Sequence, residues 1–202
     1  MRYLNEGRFL AKLKGLRIEL DERYSQSASL TFVSRPEIDR FWAVPPEPER
    51  RPALIQSILE LIGEWDSCYA WRHLGGWPGG ADRSRINDVV EYQILKGLGL
   101  ALGTNEIVEF DRSEIDELTT LLFSTTIFGW SVEEDLYIVP SHGRYIAKTD
   151  HHSVIHVSFR TQRDCDEFVA EMETYGFSLP DKPPDATFGT PKWMSGAERP
   201  GG

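Results

Sequence analysis

The chain predicts an α+β fold in which antiparallel strands, an N-terminal pair and a C-terminal three-stranded meander, pack with about four helices. Three observations carry that expectation. Short apolar alternations cluster near both ends of the chain, helix-period stripes fill the middle, and strands and helices never settle into a regular βαβ rhythm.

The elements follow in order. Leu13 to Asp21 and Ala28 to Ser34 each alternate apolar and polar residues around a turn-like Tyr24-Ser25-Gln26-Ser27, which predicts an antiparallel pair. Pro45-Pro46-Glu47-Pro48 forces an extended connection. Pro52 suits the first turn of a helix reaching about Trp65, with Ile55, Leu59 and Ile62 on one buried stripe. Gly75-Gly76-Trp77-Pro78-Gly79-Gly80 must be a loop. A second helix is expected from Ser84, with Ile86, Val90, Ile94 and Leu98 facing inward until Gly97, Gly99 and Gly103 weaken it.

A short strand over Glu106 to Phe110 precedes Asp111 and Glu114, whose spacing is that of a capping box. The helix they open carries Ile115, Leu118 and Leu122 inward. After Gly129 come three β runs, Leu136 to Val139, Tyr145 to Thr149 and Val154 to Phe159, joined by Ser141-His142-Gly143-Arg144 and Asp150-His151-His152 as turns. A last helix spans about Arg163 to Tyr175, with Thr161 as its N-cap, Cys165, Phe168, Val169 and Met172 on one face, and Gly176 closing it. Residues 1–179 thus read as a single α+β domain with a soft boundary near 75–83, and 180–202 as a Pro/Gly-rich, poorly ordered tail.

Charge narrows the function classes. The chain has 202 residues and a formal net charge of −10, which argues against nucleic acid or an anionic membrane as the preferred partner and for a basic protein. The charge is concentrated. Glu106, Glu109, Asp111, Glu114, Asp116, Glu117, Glu133, Glu134 and Asp135 face the single base Arg112 over Glu106 to Asp135. Together with Trp130 they form the candidate partner-binding surface; the bland alternative is a solvated helix face. The early charges leave no apolar stretch of signal-peptide length, and Cys68 and Cys165 show no CxxC spacing, so a reducing cytoplasm is the expected location.

Enzyme motifs are weaker. Four of the five histidines lie between His142 and His156, but adjacent His151 and His152 point to opposite sides of an extended chain, and His152 and His156 would stand ~13 Å apart on one strand. A kinked turn could still gather His151, His152 and Asp150 around a metal; no cofactor is otherwise implied. Asp150-His151-His152 matches the triplet of the DHH phosphoesterases, but the only Asp-x-Asp follows it. His156-Val157-Ser158-Phe159 resembles one arm of the two-histidine phosphoesterases, without a second copy. The GxGxxxG over Gly97 to Gly103 ends a helical pattern instead of joining a strand to a helix. Cys68 sits among Trp65, Tyr69 and Trp71 and reads as a buried thiol. The aromatic segment Trp65 to Trp77 is either core or interface.

Trp130 to Val139, then Asp150-His151-His152 and the strand ending His156-Val157-Ser158-Phe159, resemble immunity proteins of bacterial toxin–immunity systems over about residues 129–177. The resemblance implies stoichiometric inhibition of a cognate toxin by occluding its active site. The chain is therefore expected to be a non-enzymatic binding protein of basic partners. A hydrolase using His142, His151, His152 or His156 is the rival reading, and an assembly subunit the third.

Overall fold

The computed structural model describes residues 1–21, 29–33, 38–72, 76–81, 85–128, 135–150 and 153–180. Its elements, in order, are β1 (Arg2–Leu4), α1 (Glu6–Gly15), β2 (Ile18–Asp21), β3 (Ser29–Phe32), β4 (Ile38–Ala43), α2 (Arg51–Ile62), β5 (Ser67–Trp71), α3 (Ile86–Gly97), β6 (Ile107–Asp111), α4 (Ile115–Phe128), β7 (Tyr137–Pro140), β8 (Tyr145–Asp150), β9 (Val154–Phe159) and α5 (Gln162–Thr174). The fold is α+β. Seven strands form one antiparallel sheet in the order β1-β6-β5-β7-β8-β9-β4, and β2 and β3 form a separate hairpin. Strands from both sides of residues 75–83 share the large sheet, since β5 pairs with β6 and β7.

Strand alternation divides the sheet's side chains between two cores. Cys68, Ala70, Val108, Phe110, Ile138, Tyr145, Ala147, Ile155, Val157 and Phe159 point to one face and meet α2, α3, α4 and α5. Tyr69, Trp71, Ile107, Tyr137, Val139 and Ile146 point to the other and meet Phe9 and Leu13 of α1 and Ile18, Leu30 and Phe32 of the hairpin. The aromatic segment is thereby core: Trp65, Tyr69, Trp71 and Trp77 are all buried.

The C-terminal half follows the sequence closely. β7, β8 and β9 form the expected meander, with Ile138 opposite Ala147 and Ala147 opposite Val157. The Thr161 side chain accepts from the Asp164 N–H at the start of α5, whose Cys165, Phe168 and Met172 are buried. Asp111 and Glu114 make the expected capping box on a 3-10 turn, Arg112–Glu114, that leads into α4. Burial raises the Cys68 thiol far above its ordinary range, consistent with an inert side chain.

Several expectations need correction. There are five helices among the described residues, and the first, α1, takes Leu13 to Gly15 out of the strand expected over 13–21. α1 buries only Phe9 and Leu13, too sparse a stripe to stand out from its polar neighbours. The inward stripe expected of α3 is misplaced: Ile86 is 72% exposed, Val90 and Ile94 are half-buried, and Glu91 and Leu95 face inward instead. The physical reason is Arg72. It leaves the end of β5 inside the protein and forms a buried ion pair with Glu91, so a carboxylate stands at this contact in place of an apolar side chain. Residues 181–202, and with them nearly all of the expected tail, lie outside the described residues.

Candidate functional site

Three connections meet at one end of the central strands. Glu64, Trp65 and Asp66 link α2 to β5; Asp111, Arg112 and Ser113 lead from β6 to α4; Ser141 and His142 turn from β7 to β8. β5 lies between β6 and β7, so antiparallel pairing of Ser67 with Asp111 and of Cys68 with Pro140 brings all three together. They line a cavity of about 800 Å³.

The cavity walls are fixed by their own hydrogen bonds. The Ser67 N–H donates to Ser141 Oγ at 3.2 Å and the Ser141 N–H to the Ser67 carbonyl at 2.8 Å. The Arg112 guanidinium donates to the Gly63 carbonyl at 2.7 Å and lies 5.4 Å over the Trp65 ring, so it is engaged. The Trp65 Nε1 is buried without an acceptor among the described residues. Ser113 donates to Asp111 Oδ1 from its hydroxyl at 2.5 Å and from its backbone N–H at 2.9 Å, and these bonds hold the Asp111 carboxyl below the usual carboxylate range. Among the described lining residues, Glu64, Asp66 and Asp111 therefore give the cavity an acidic character against Arg112 alone.

His142 is a wall residue whose ring is fully engaged. Its Nδ1 accepts the Arg144 N–H at 3.0 Å, so the proton sits on Nε2, which donates to the Ile62 carbonyl at 2.9 Å. Burial lowers its pKa, Ile62 opposes that, and the Arg144 charge adds to it; the neutral ring is the favoured form. Neither nitrogen is left to take a proton from a substrate.

The acidic residues singled out in the sequence fall into separate places. Asp111 lines the cavity, Glu114 completes its capping box and pairs with the Met1 amino group, and Asp116 and Glu117 follow in the first turn of α4, Asp116 exposed and Glu117 half-buried. Glu106 is half-buried, and its carbonyl accepts Trp77 Nε1 at 2.7 Å. Glu109 points to the opposite face of the sheet, buried beneath α1 with Lys12 at 3.5 Å and Arg2 at 3.6 Å. Asp135 is buried and meets Lys148 at 2.9 Å. Trp130, Glu133 and Glu134 lie outside the described residues.

Of the histidine cluster, His151 and His152 also lie outside the described residues. Asp150 stands 3.6 Å from Lys148 and 3.7 Å from His156 Nε2, and His156 Nδ1 is 3.4 Å from Asp39. Burial alone would lower the pKa of Lys148, but the ionisable Tyr137 hydroxyl, Asp135 and Asp150 outweigh it and raise it above its ordinary value. These contacts join β4, β8 and β9. Among the described residues no group of three or more His, Cys, Asp or Glu side chains is placed to hold a metal. No helix there is long and apolar enough to cross a membrane.

Sequence reasoning missed Glu64, Asp66 and Ser141. The signal was an acid-aromatic-acid triplet directly after a helix end, which gains meaning only beside two distant turns. Comparison with known proteins finds no matching family model, curated protein or solved structure.

Proposed function

We propose that the protein is a binding protein, an immunity-type inhibitor, that occludes a basic partner by receiving a cationic side chain in the cavity lined by Glu64, Asp66 and Asp111. The single observation that supports this reading is the cavity's charge: three carboxylates converge from two connections, while the one guanidinium among the described lining residues is held by the Gly63 carbonyl and the Trp65 ring. Asp116, exposed two residues beyond the 3-10 turn, extends the acidic surface along α4.

Exposed ion pairs contribute only about 0–1 kcal/mol each, so the carboxylates act mainly by steering the partner and selecting against acidic proteins. Tight binding then comes from the contact surface around the cavity. His142, with both nitrogens engaged, serves as a wall in this reading.

The test is charge reversal at Glu64 and Asp66, neither of which caps a helix. Basic proteins retained by the wild-type chain at low salt are identified and their association rates measured against ionic strength. The Glu64→Lys/Asp66→Lys variant should associate about ten-fold more slowly at low salt and converge with wild type at high salt, where the screening length falls to about 3 Å. An identical rate and salt slope for the two proteins would overturn the proposal.

A further inference from the structure

A second cavity, of about 520 Å³, lies on the opposite layer between α1 and the β2–β3 hairpin. Its apolar lining comes from Leu10, Leu13, Ile18, Leu20 and Val33. Leu10 and Val33 are 37% and 38% exposed, two of only four large apolar side chains so exposed among the described residues. Water is thus in contact with an apolar groove of small-molecule size.

Its polar rim is unusual for a chain of net charge −10. Among the described residues, Lys14 and Arg17 stand at the groove against a single acid, Glu19, and neither cation has a side-chain hydrogen bond or ion pair there. Arg17 is also one of two described non-glycine residues with a left-handed backbone, at φ 55°. Its N–H donates to the Lys14 carbonyl and its carbonyl accepts from the Val33 N–H, both at 3.0 Å, so the residue closes α1 and passes the chain into the hairpin. Glycine suits such a position best, and an arginine there retains a guanidinium at the groove at the expense of backbone strain.

We propose that this groove binds a small amphipathic monocarboxylate, its apolar body lying over Leu10, Leu20 and Val33 and its carboxylate meeting Lys14 and Arg17. The planar guanidinium matches a carboxylate through two parallel N–H bonds. The overall negative charge selects the size and valence of the ligand. A polyanion or an anionic membrane is repelled by the rest of the molecule, whereas a single carboxylate feels chiefly the local pair of cations and gains from burying its chain. The occupant is a free acid, and the site is separate from the acidic cavity, so either proposal can fail without the other.

The test uses the full isotope-labelled chain and three ten-carbon probes: decanoate, 1-decanol and decyltrimethylammonium. Decanoate should shift the amide resonances of Leu10 to Leu20 and of Val33, and bind about ten-fold more tightly than decanol, the factor of one charge-assisted contact. Arg17→Gly relieves the left-handed strain while deleting the cation; it should keep or raise the thermal midpoint and lose about ten-fold in decanoate affinity. Leu10→Asp should remove binding. Equal binding of all three probes, shifts elsewhere on the molecule, or unchanged affinity in Arg17→Gly would overturn the proposal.

Discussion

Replacing Glu91 with leucine tests the claim that α3 is set by charge and not by its apolar stripe. The Glu91 and Arg72 side chains are 5% and 2% exposed, and the Arg72 guanidinium also lies 5.4 Å over the Trp77 ring. Arg72 Nε has no hydrogen-bond partner among the described residues, where Glu91 is the carboxylate that compensates the guanidinium. Deleting the carboxylate leaves a buried cation, which costs about 3–5 kcal/mol. That is a large part of the ~5–15 kcal/mol by which a domain is stable. At a urea slope of about 2 kcal/mol per molar, the unfolding midpoint should fall by roughly 1.5–2.5 M. The double variant Arg72→Met/Glu91→Leu removes both charges and should recover most of the loss, because an apolar pair of similar volume replaces a buried ion pair at little cost. Urea denaturation followed by tryptophan fluorescence and circular dichroism measures both. A loss below about 1 kcal/mol for Glu91→Leu alone would refute the reasoning, since it would mean that the pair is open to water.

Three further outcomes follow from the same geometry. Burial pushes the Asp164 carboxyl up, but the Thr161 hydroxyl and the Arg144 guanidinium outweigh it and hold it below the ordinary range. A lowered folded value means stability that is complete above the unfolded pKa, about 3.9, and lost as pH falls through the folded one. The stability difference between wild type and Asp164→Asn, read by thermal unfolding, should therefore be present at pH 7 and shrink below about pH 4. His142, lowered chiefly by burial, should titrate below the usual value of about 6.5 and remain an Nε2–H tautomer, both visible by nitrogen NMR. Stability linked to it is lost as pH falls from the unfolded value through the folded one. Gly76 has φ 60°, and a Cβ there would lie 2.6 Å from the Thr104 carbonyl, which accepts the Trp77 N–H. Gly76→Ala should destabilise by roughly 2 kcal/mol or more, detected as a lower unfolding midpoint.

The elements legible in the sequence are those whose determinants are local. β7 to β9 and α5 announce themselves through alternation, turn residues, a threonine N-cap and a closing glycine, and the capping box of Asp111 and Glu114 stands where its spacing places it. β5 was missed because Ser67 to Trp71 is buried on both faces, which erases the alternation that marks a half-exposed strand. The orientation of α3 was misread because a carboxylate on its inner face becomes sensible only once Arg72 is known to be buried opposite it.

Amino-acid order alone determined the α+β class, the meander, the caps and the excess of acid near the middle of the chain. Tertiary structure decided where that acid acts. Strand alternation turns Glu109 under α1, and the return of the chain through α4 sets Asp135 beside Lys148, so neighbours in sequence part in space. Antiparallel pairing of β5 with β6 and β7 does the reverse, gathering Glu64, Asp66, Asp111 and His142 from three separate connections around one cavity. Hydrogen bonding between strands distant in sequence fixes which ends meet, and no local pattern of residues encodes that choice.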